Sequence, residues 1–201
     1  MFYNRLLLFH PFQGYFLANI LQLPDKFRFV RYIASSNLHK MNTILLFTDG
    51  SVDTQSGTGC GAYLAVTGSE FSLEELKKQV KTRKFENTSS VRLELETLLW
   101  ALDEVADGFN KIKVYTDSQN IVALPSRRGK LEKNNFRSKK GRLLKNHDLY
   151  RDFFNRMDEL DCELEKVTGH QPGRKKDRIH RLFTLVDKAS RKALRKEVKK
   201  G

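Results

Sequence analysis

From Met41 onward, the chain alternates short apolar or β-branched runs with segments of helical periodicity. The runs predict strands at residues 44–47, 59–66, 80–85, 112–117 and 162–168. The periodic segments predict helices at residues 90–106, 148–160 and 178–196, with one or two further helical turns at 73–79. The strands and main helices follow the order β-β-β-α-β-α-β-α without an internal repeat, which predicts an α/β fold in which helices flank a mixed sheet.

Residues 90–106 have the clearest helical pattern. At 100° per residue, a stripe roughly 120° wide holds the apolar side chains of Val91, Leu95, Leu98, Leu99, Leu102, Val105 and Ala106. Ser89 or Ser90 can cap the first turn. Glu94 lies just outside one margin of the stripe, whereas Glu96 and Asp103 lie farther round the helix. We therefore expect Glu94 to reach the rim of the sheet, and Glu96 and Asp103 to be solvated.

Two acids, Asp49 and Asp117, each end a predicted strand at a polar turn. A single aspartate in that position most often only stabilises the turn. Cleavage of a phosphodiester, however, needs several oxygen ligands for Mg²⁺ and a water molecule held for in-line attack. Asp49 and Asp117, together with Glu94, are therefore candidates for a metal-binding pocket of carboxylates.

The charge of the chain points to a polyanionic partner. There are 37 Lys and Arg against 24 Asp and Glu, a net charge of +13, which favours nucleic acid or an anionic membrane. The basic segment, residues 126–146, holds nine Lys or Arg and only one acid, Glu132. We expect this segment to be solvated and to follow phosphates, so that affinity for nucleic acid falls steeply with salt.

Residues 1–40 differ in character from the rest of the chain. They contain many Phe, Tyr and Leu, have Asp25 as their only acid, and lack the apolar length of a membrane span. We interpret them as an extension ahead of a domain at residues 41–201, with an organellar transit peptide as the open alternative. Cys60 and Cys162 lack zinc-type spacing and predict free thiols in a reducing compartment, so a cytoplasmic location is expected.

Three motifs occur in order along the chain: Phe47-Thr48-Asp49-Gly50-Ser51, Arg92-Leu93-Glu94-Leu95 and Val114-Tyr115-Thr116-Asp117-Ser118-Gln119. In order and spacing they resemble the ribonuclease H family. The similarity continues through residues 146–150, 169–170 and 187–191, and covers about residues 43–195. The resemblance implies a ribonuclease H-like fold, with a mixed five-stranded sheet flanked by helices.

The same resemblance implies an endoribonuclease that hydrolyses the RNA strand of RNA/DNA hybrids. It assigns four carboxylates that would bind two Mg²⁺ or Mn²⁺ ions: Asp49, Glu94, Asp117 and Asp187. His170 would assist proton transfer or product release, and a merely structural loop is the alternative for this residue. Asp177 is a rival for the fourth ligand because the gap from His170 to Asp187 is long, but the Ala-Ser-Arg context favours Asp187.

Substrate contacts are predicted in two regions. The wide minor groove of an A-form duplex displays the 2′-hydroxyl, which distinguishes RNA from DNA, and Ser90 and Gln119 are the candidates for reading that group. In the basic segment, the predicted phosphate contacts are Arg127, Arg128, Lys139 and Lys140. We expect a monomer that binds RNA/DNA hybrids and no membrane.

Three other functions stay open at this point. The chain could be a ribonuclease H-like module that binds nucleic acid without cutting it, or a related nuclease that acts on another structured nucleic acid. It could also be a purely structural basic protein, which would have no metal-dependent activity. A complete set of four acids argues against the non-catalytic module, and assays with hybrid, double-stranded RNA and DNA would separate the enzymes.

Overall fold

The fold is built on one sheet, seen in a computed structural model that describes residues 43–67, 72–106, 109, 111–168 and 177–199. The strands are β1 (Thr43–Asp53), β2 (Thr58–Val66), β3 (Lys81–Phe85), β4 (Lys111–Thr116) and β5 (Cys162–Lys166). They lie in the order β3-β2-β1-β4-β5. Strand β2 pairs antiparallel with both β1 and β3, whereas β4 pairs parallel with both β1 and β5. The predicted mixed five-stranded sheet is confirmed.

Six helices occur in the described residues: α1 (Leu73–Gln79), α2 (Ser90–Val105), α3 (Gln119–Val122), α4 (Leu124–Lys133), α5 (His147–Glu159) and α6 (Arg178–Val198). All four helical segments predicted from the sequence are found within two residues of the predicted bounds. The sequence pattern missed α3 and α4. No helix in the part of the chain that the structure describes is long and apolar enough to cross a membrane.

Apolar side chains form one core on each face of the sheet. On one face, residues of α2, α4 and α5 cover Ile44, Leu46 and Val114. On the other face, the stacked rings of Phe47 and Tyr115 pack beneath α6. Because side chains alternate along a strand, successive residues of β1 face α2 and α6 in turn. The sheet is therefore the middle of three layers.

Glycines let the first turns of α2 lie close to the sheet. A Cβ atom placed on Gly50 would lie 2.9 Å from the Leu93 side chain, and one on Gly59 would lie 2.8 Å from it. Gly50 pairs with Gly61 across β1 and β2, and a Cβ on Gly61 would collide with the buried side chain of Thr97. These close approaches set the height of α2 above β1, and so the position of Glu94.

Gly61→Ala is expected to destabilise the protein by about 2 to 3 kcal/mol, because the β-branched Thr97 side chain is stiff and has no room to move. Gly129→Ala, in the exposed middle of α4, is the matched control, since nothing lies within 4 Å of its Cβ position. It is expected to stabilise by about 0.5 to 1 kcal/mol. Urea denaturation of both variants measures the difference, and equal effects would contradict this description of the α2 contact.

Strand β1 is longer than predicted. The sequence predicts a polar turn at residues 48–51, but the strand continues to Asp53. Beyond Phe47 it has no partner in β4, yet its antiparallel pairing with β2 goes on, as in Asp49 with Ala62. The prediction that Asp49 ends a strand is therefore wrong, because β2 keeps this polar stretch hydrogen-bonded.

The basic segment also differs from its prediction as a solvated stretch. Its first part belongs to α4, which is held to the α2 side of the core by buried Leu124 and Leu131, and Phe136 just after the helix is buried as well. Three apolar anchors among many polar residues give a weak helical period, which explains why the pattern did not reveal the helix. Residues 137–143 are exposed, as expected.

Candidate active site

Asp49 and Asp117 lie next to each other in the register of two parallel strands. The last pair of residues joining β1 to β4 is Phe47 with Tyr115, and each acid comes two residues later. The Asp49 side chain is on the same face of β1 as Phe47, toward α6. Asp117 is exposed just beyond the end of β4. Two acids thus meet where the parallel pairing of β1 and β4 ends.

A serine from α6 connects Asp49 to Asp187. The Ser190 hydroxyl donates a hydrogen bond to Oδ2 of Asp49 at 2.5 Å, and it lies 3.0 Å from the backbone oxygen of Asp187. The Ser51 hydroxyl lies 3.1 Å from the same oxygen of Ser190. Arg191 pairs with the Asp187 carboxylate at 2.8 Å. Helix α6 therefore brings a further acid, Asp187, near Asp49.

Burial raises the pKa of Asp49 from 3.8 to about 7. The hydrogen bond from Ser190 opposes this shift, while the negative charges of Asp117 and Asp187 add to it and Arg191 opposes it. The charges show that both other acids lie within electrostatic range of Asp49. A carboxyl group that holds its proton to neutral pH marks a pocket with too little positive charge.

Glu94 lies on the α2 side of the same edge. The Ser118 hydroxyl donates to its Oε2 at 2.5 Å, and the Ser90 hydroxyl lies 3.4 Å from its Oε1. Burial raises the pKa of Glu94, the bond from Ser118 lowers it, and the charge of Asp117 raises it. Ser118 itself caps α3, because its oxygen accepts from the amide of Ile121. Glu94 therefore reaches the rim of the sheet, as the helical wheel predicted.

The donor set of this edge suits a hard divalent cation. Carboxylate and hydroxyl oxygens are the ligands that Mg²⁺ and Mn²⁺ prefer. As they now stand, no three acids, histidines or cysteines of the described residues are close enough to hold one ion. The charge of Asp117 nevertheless acts on both Asp49 and Glu94, and both have raised pKa values. A cation bound among them would neutralise this excess of negative charge.

Asp177, the rival of Asp187, has a different environment. It is the N-cap of α6: its carboxylate accepts from the amide of His180 at 2.9 Å and lies 2.7 Å from Nδ1 of the same histidine. These bonds lower the pKa of Asp177. A helix cap accounts for the residue, whereas Asp187 lies by Ser190 and Asp49.

The predicted substrate residues have varied surroundings. Oε1 of Gln119 accepts from Nζ of Lys166 at 2.6 Å, and Lys166 was not singled out in the sequence. The Arg128 guanidinium is engaged by Asp158, at 2.5 and 2.7 Å, and by Glu132. The remaining predicted phosphate contacts are exposed: Arg127, Lys139 and Lys140. His170 lies outside the described residues.

Glu96 does not match its prediction as a solvated residue. Its carboxylate accepts from the hydroxyl of Thr88 at 2.9 Å and from Nε of Arg92 at 2.9 Å. Arg92 also holds both oxygens of Asp148 on α5. This network joins α2 to α5, two residues before Glu94. Asp103 is exposed, as predicted, and pairs with Arg156.

The residues that sequence reasoning missed are the serines that hold the acids. Ser118 and Ser190 belong to the same motifs as the acids Asp117 and Asp187. Nothing in the spacing of these serines distinguishes them from serines without a role. Their roles depend on partners that are 24 and 141 residues away. The one available signal is that Ser190 follows Asp187 by three residues on a helix, which places both on one face.

The protein has a ribonuclease H-like fold. It consists of a mixed five-stranded sheet with α2 and α6 on opposite faces and with acids at the end of the β1 and β4 pairing. The chain belongs to the RNase H family, whose sequence profile matches residues 41–192. It is accordingly an endoribonuclease that hydrolyses the RNA strand of RNA/DNA hybrids, as the motifs predicted.

Individual relatives are similar to this chain in sequence or in fold. Ribonuclease H of Caldicellulosiruptor saccharolyticus is 29% identical over 132 residues, which are 65% of this chain and 86% of that protein. LC9-RNase H1, a type 1 RNase H with the type 2 active-site motif, superposes with a TM-score of 0.57 at 15% identity, over 76% of this chain and 72% of that one. The foamy viral protease-reverse transcriptase in complex with RNA/DNA hybrid gives 0.56 at 10% identity, over 76% of this chain. This chain spans 20% of the viral protein, and these two structures share its fold.

Proposed function

We propose that Asp49, Glu94, Asp117 and Asp187 hold two divalent cations, Mg²⁺ or Mn²⁺, beside the RNA strand of a hybrid. The observation that carries the proposal is the meeting of Asp49 and Asp117 at the end of the β1 and β4 pairing, with Glu94 on one side and Asp187 on the other. Bound cations would polarise the scissile phosphate and activate water for attack. By resemblance to the family, the products carry 5′-phosphate and 3′-hydroxyl ends.

The chain's own residues orient this site. Ser190 fixes one oxygen of Asp49 and Ser118 fixes one oxygen of Glu94, so each carboxylate presents its other oxygen in a defined direction. Arg191 limits the swing of Asp187. Because Asp49 retains a proton up to about pH 7, protons and cations compete for this carboxylate. Cleavage should therefore weaken as the pH falls below 7.

The rival acids of α6 can be told apart by the same substitution. Asp187→Ala is expected to lower kcat about tenfold or more, because it removes a metal ligand. Asp177→Ala is expected to leave kcat within about twofold and to cost about 1 kcal/mol of stability, since it removes a helix cap. Steady-state kinetics and urea denaturation of both variants show which of the two acids is the fourth ligand. The reverse pattern would make Asp177 the fourth ligand.

We further propose that Ser90 and Gln119 contact the minor groove and that Arg127, Lys139 and Lys140 contact phosphates. Lys donates only, so Lys166 must face the oxygen of the Gln119 amide, which leaves its NH₂ group to donate to nucleic acid. Arg128 is held by two acids and is expected to add little. His170 is proposed to assist proton transfer or product release.

The exposed lysines can be tested by salt dependence. Lys139→Ala/Lys140→Ala is expected to reduce the slope of log affinity against log salt by about two, because each phosphate contact contributes about 0.9. The matched control is Lys77→Ala/Lys78→Ala on α1, which lies on the opposite face of the sheet and carries the same charge. Fluorescence anisotropy with a labelled hybrid measures both slopes. Equal loss in the two variants would show a general charge effect and no local contact.

The proposed function is tested with one strand sequence in three duplexes: RNA/DNA hybrid, double-stranded RNA and double-stranded DNA. Each is incubated with the purified protein with and without Mg²⁺. We expect cleavage of the RNA strand of the hybrid alone, and only with the cation. Binding of the hybrid without any cleavage would instead support a non-catalytic module. Preferential cleavage of another duplex would support a related nuclease.

A further inference from the structure

A groove lined by basic residues lies between α6 and the β2-β3 side of the sheet. We call it the basic groove and define it by Cys60, Lys84, Ala189, Lys192, Ala193 and Lys196. Its volume is about 380 Å³. It lies on the α6 face of the sheet, whereas α4 of the basic segment packs on the α2 face. Its cations are therefore a separate surface from those of residues 126–146.

Two of these cations lack an acidic partner. Lys192 and Lys196 are exposed one turn apart on α6, and neither is paired with an acid within the residues that the structure describes. Lys84 differs, since its Nζ lies 2.8 Å from Glu86 and 3.9 Å from Glu197. The groove lining also includes Arg83 and one acid, Glu197, so it holds four cations against one carboxylate, and a polyanion is the ligand that would balance this charge.

The groove begins where the candidate active site ends. Ala189 immediately precedes Ser190, the residue bonded to Asp49. Cys60, on the floor of the groove, pairs in β2 with Ser51, whose hydroxyl lies 3.1 Å from that of Ser190. A strand held at the acids could therefore continue into the groove.

The spacing of the lysines suits a nucleic-acid strand. At 1.5 Å per residue, Lys192 and Lys196 lie about 7.5 and 13.5 Å from Asp187 along the α6 axis. A strand advances by about 3.4 Å per nucleotide, so these distances correspond to about two and four nucleotides. The lining residues Ala189 and Ala193 have small side chains, and the lining includes no aromatic ring on which a base could stack. These features favour the sugar-phosphate backbone.

We propose that the basic groove binds the phosphates of a substrate strand about two to four nucleotides away from the cleavage site. This inference rests on the proposed function, because it takes the position of the cut strand from the acids. The groove offers charge without base contacts, so its binding is independent of sequence. It extends the substrate footprint from the acids onto the α6 face.

The test compares a short hybrid with the same hybrid extended on either side by about six nucleotides, or about 20 Å. KM is measured in Mg²⁺ for the parental protein and for Lys192→Glu/Lys196→Glu. The matched control is Arg195→Glu/Lys199→Glu, which has the same spacing and charge change, with Arg195 on α6 and Lys199 directly after its last residue, and neither residue lines the groove. The readout is the ratio of KM for the short hybrid to KM for the extended one, since a loss of folding or chemistry alone leaves that ratio unchanged.

Extension on one side is expected to lower KM about tenfold for the parental protein and for the control, and to leave it nearly unchanged for Lys192→Glu/Lys196→Glu. The salt slope for the extended hybrid should fall by about two in the groove variant. Equal ratios in the parental protein and the groove variant would overturn the inference, as would an equal loss in the control.

Failure of the proposed function would look different. If the parental protein cuts neither hybrid, the catalytic proposal is overturned. Anisotropy with the extended hybrid then still tests whether the basic groove binds nucleic acid. Weaker binding by Lys192→Glu/Lys196→Glu than by Arg195→Glu/Lys199→Glu would then support the groove. Equal binding of that hybrid by the two variants would reject it.

Discussion

Asp117→Asn is expected to reduce hybrid cleavage by a factor of about a thousand or more, while hybrid binding is retained. Asp117 acts electrostatically on both Asp49 and Glu94, so it is the acid best placed to share cations with each of them. Loss of that cation binding removes several kcal/mol of charge stabilisation in the transition state, and about 4 kcal/mol corresponds to a thousandfold in rate. Single-turnover cleavage in Mg²⁺ measures the rate.

The binding half of this prediction separates catalysis from folding. Asn has nearly the shape of Asp, and removal of a negative charge next to phosphates does not weaken electrostatic attraction. Anisotropy should therefore give a hybrid affinity equal to or above that of the parental protein. Asp152→Asn, an exposed acid on α5, is the control and should cleave at the parental rate. If Asp117→Asn also cleaves at the parental rate, the proposed site is wrong.

Asp49→Asn is expected to stabilise the metal-free protein above pH 7 by up to about 4 kcal/mol. The folded protein holds the Asp49 proton up to about pH 7, whereas the unfolded chain releases it near 3.8. Between these values unfolding releases a proton, so the free energy of unfolding falls as pH rises, by about 1.36 kcal/mol per unit. Asn carries no such penalty. Urea denaturation in chelator from about pH 4 to 8 measures the difference.

Asp53→Asn is the control for this pH dependence, because the pKa of Asp53 is shifted in the opposite direction from that of Asp49. Hydrogen bonds from Ser56 and from the amide of Gln55 lower the pKa of the exposed Asp53, so its stabilising effect is present above the unfolded pKa and lost as pH falls. Mg²⁺ should restore stability above pH 7 to the parental protein but much less to Asp49→Asn. Parallel pH profiles of the parental protein and Asp49→Asn would contradict a buried pocket with an excess of negative charge.

Much of the fold could be predicted because its elements have strong periodicity. Helix α2 has an apolar stripe that fixes both its bounds and the side from which Glu94 projects. Likewise, the acids after two apolar runs indicate one edge, since the carboxyl ends of parallel strands lie together. The extension of β1 was missed because Thr48 to Ser51 has turn composition, and only its pairing with β2 holds it extended. Helix α4, which contains the first part of the basic segment, was missed because only three buried side chains anchor this region among many polar ones.

The candidate site was predictable in its acids and not in their supports. Asp49, Glu94, Asp117 and Asp187 stand in motifs with recognisable order, whereas the hydroxyls of Ser118 and Ser190 acquire their roles only when distant segments meet. The same holds for Lys166, which meets Gln119 across 47 residues. Such contacts depend on side-chain geometry that neither composition nor periodicity encodes. Asp177 is the opposite case, because it caps the helix that begins at the next residue. Such a role depends only on neighbouring residues, and aspartate is a common cap.

The most direct test of the carboxylate site is anomalous diffraction from crystals soaked in Mn²⁺. The four acids predict anomalous density within ligand distance of both Asp49 and Asp117, with Glu94 or Asp187 completing the coordination. Crystals of Asp117→Asn should lose that density under the same soak. Strong Mn²⁺ density elsewhere in an active protein, with Asp49 and Asp117 left unliganded, would contradict the proposed metal site.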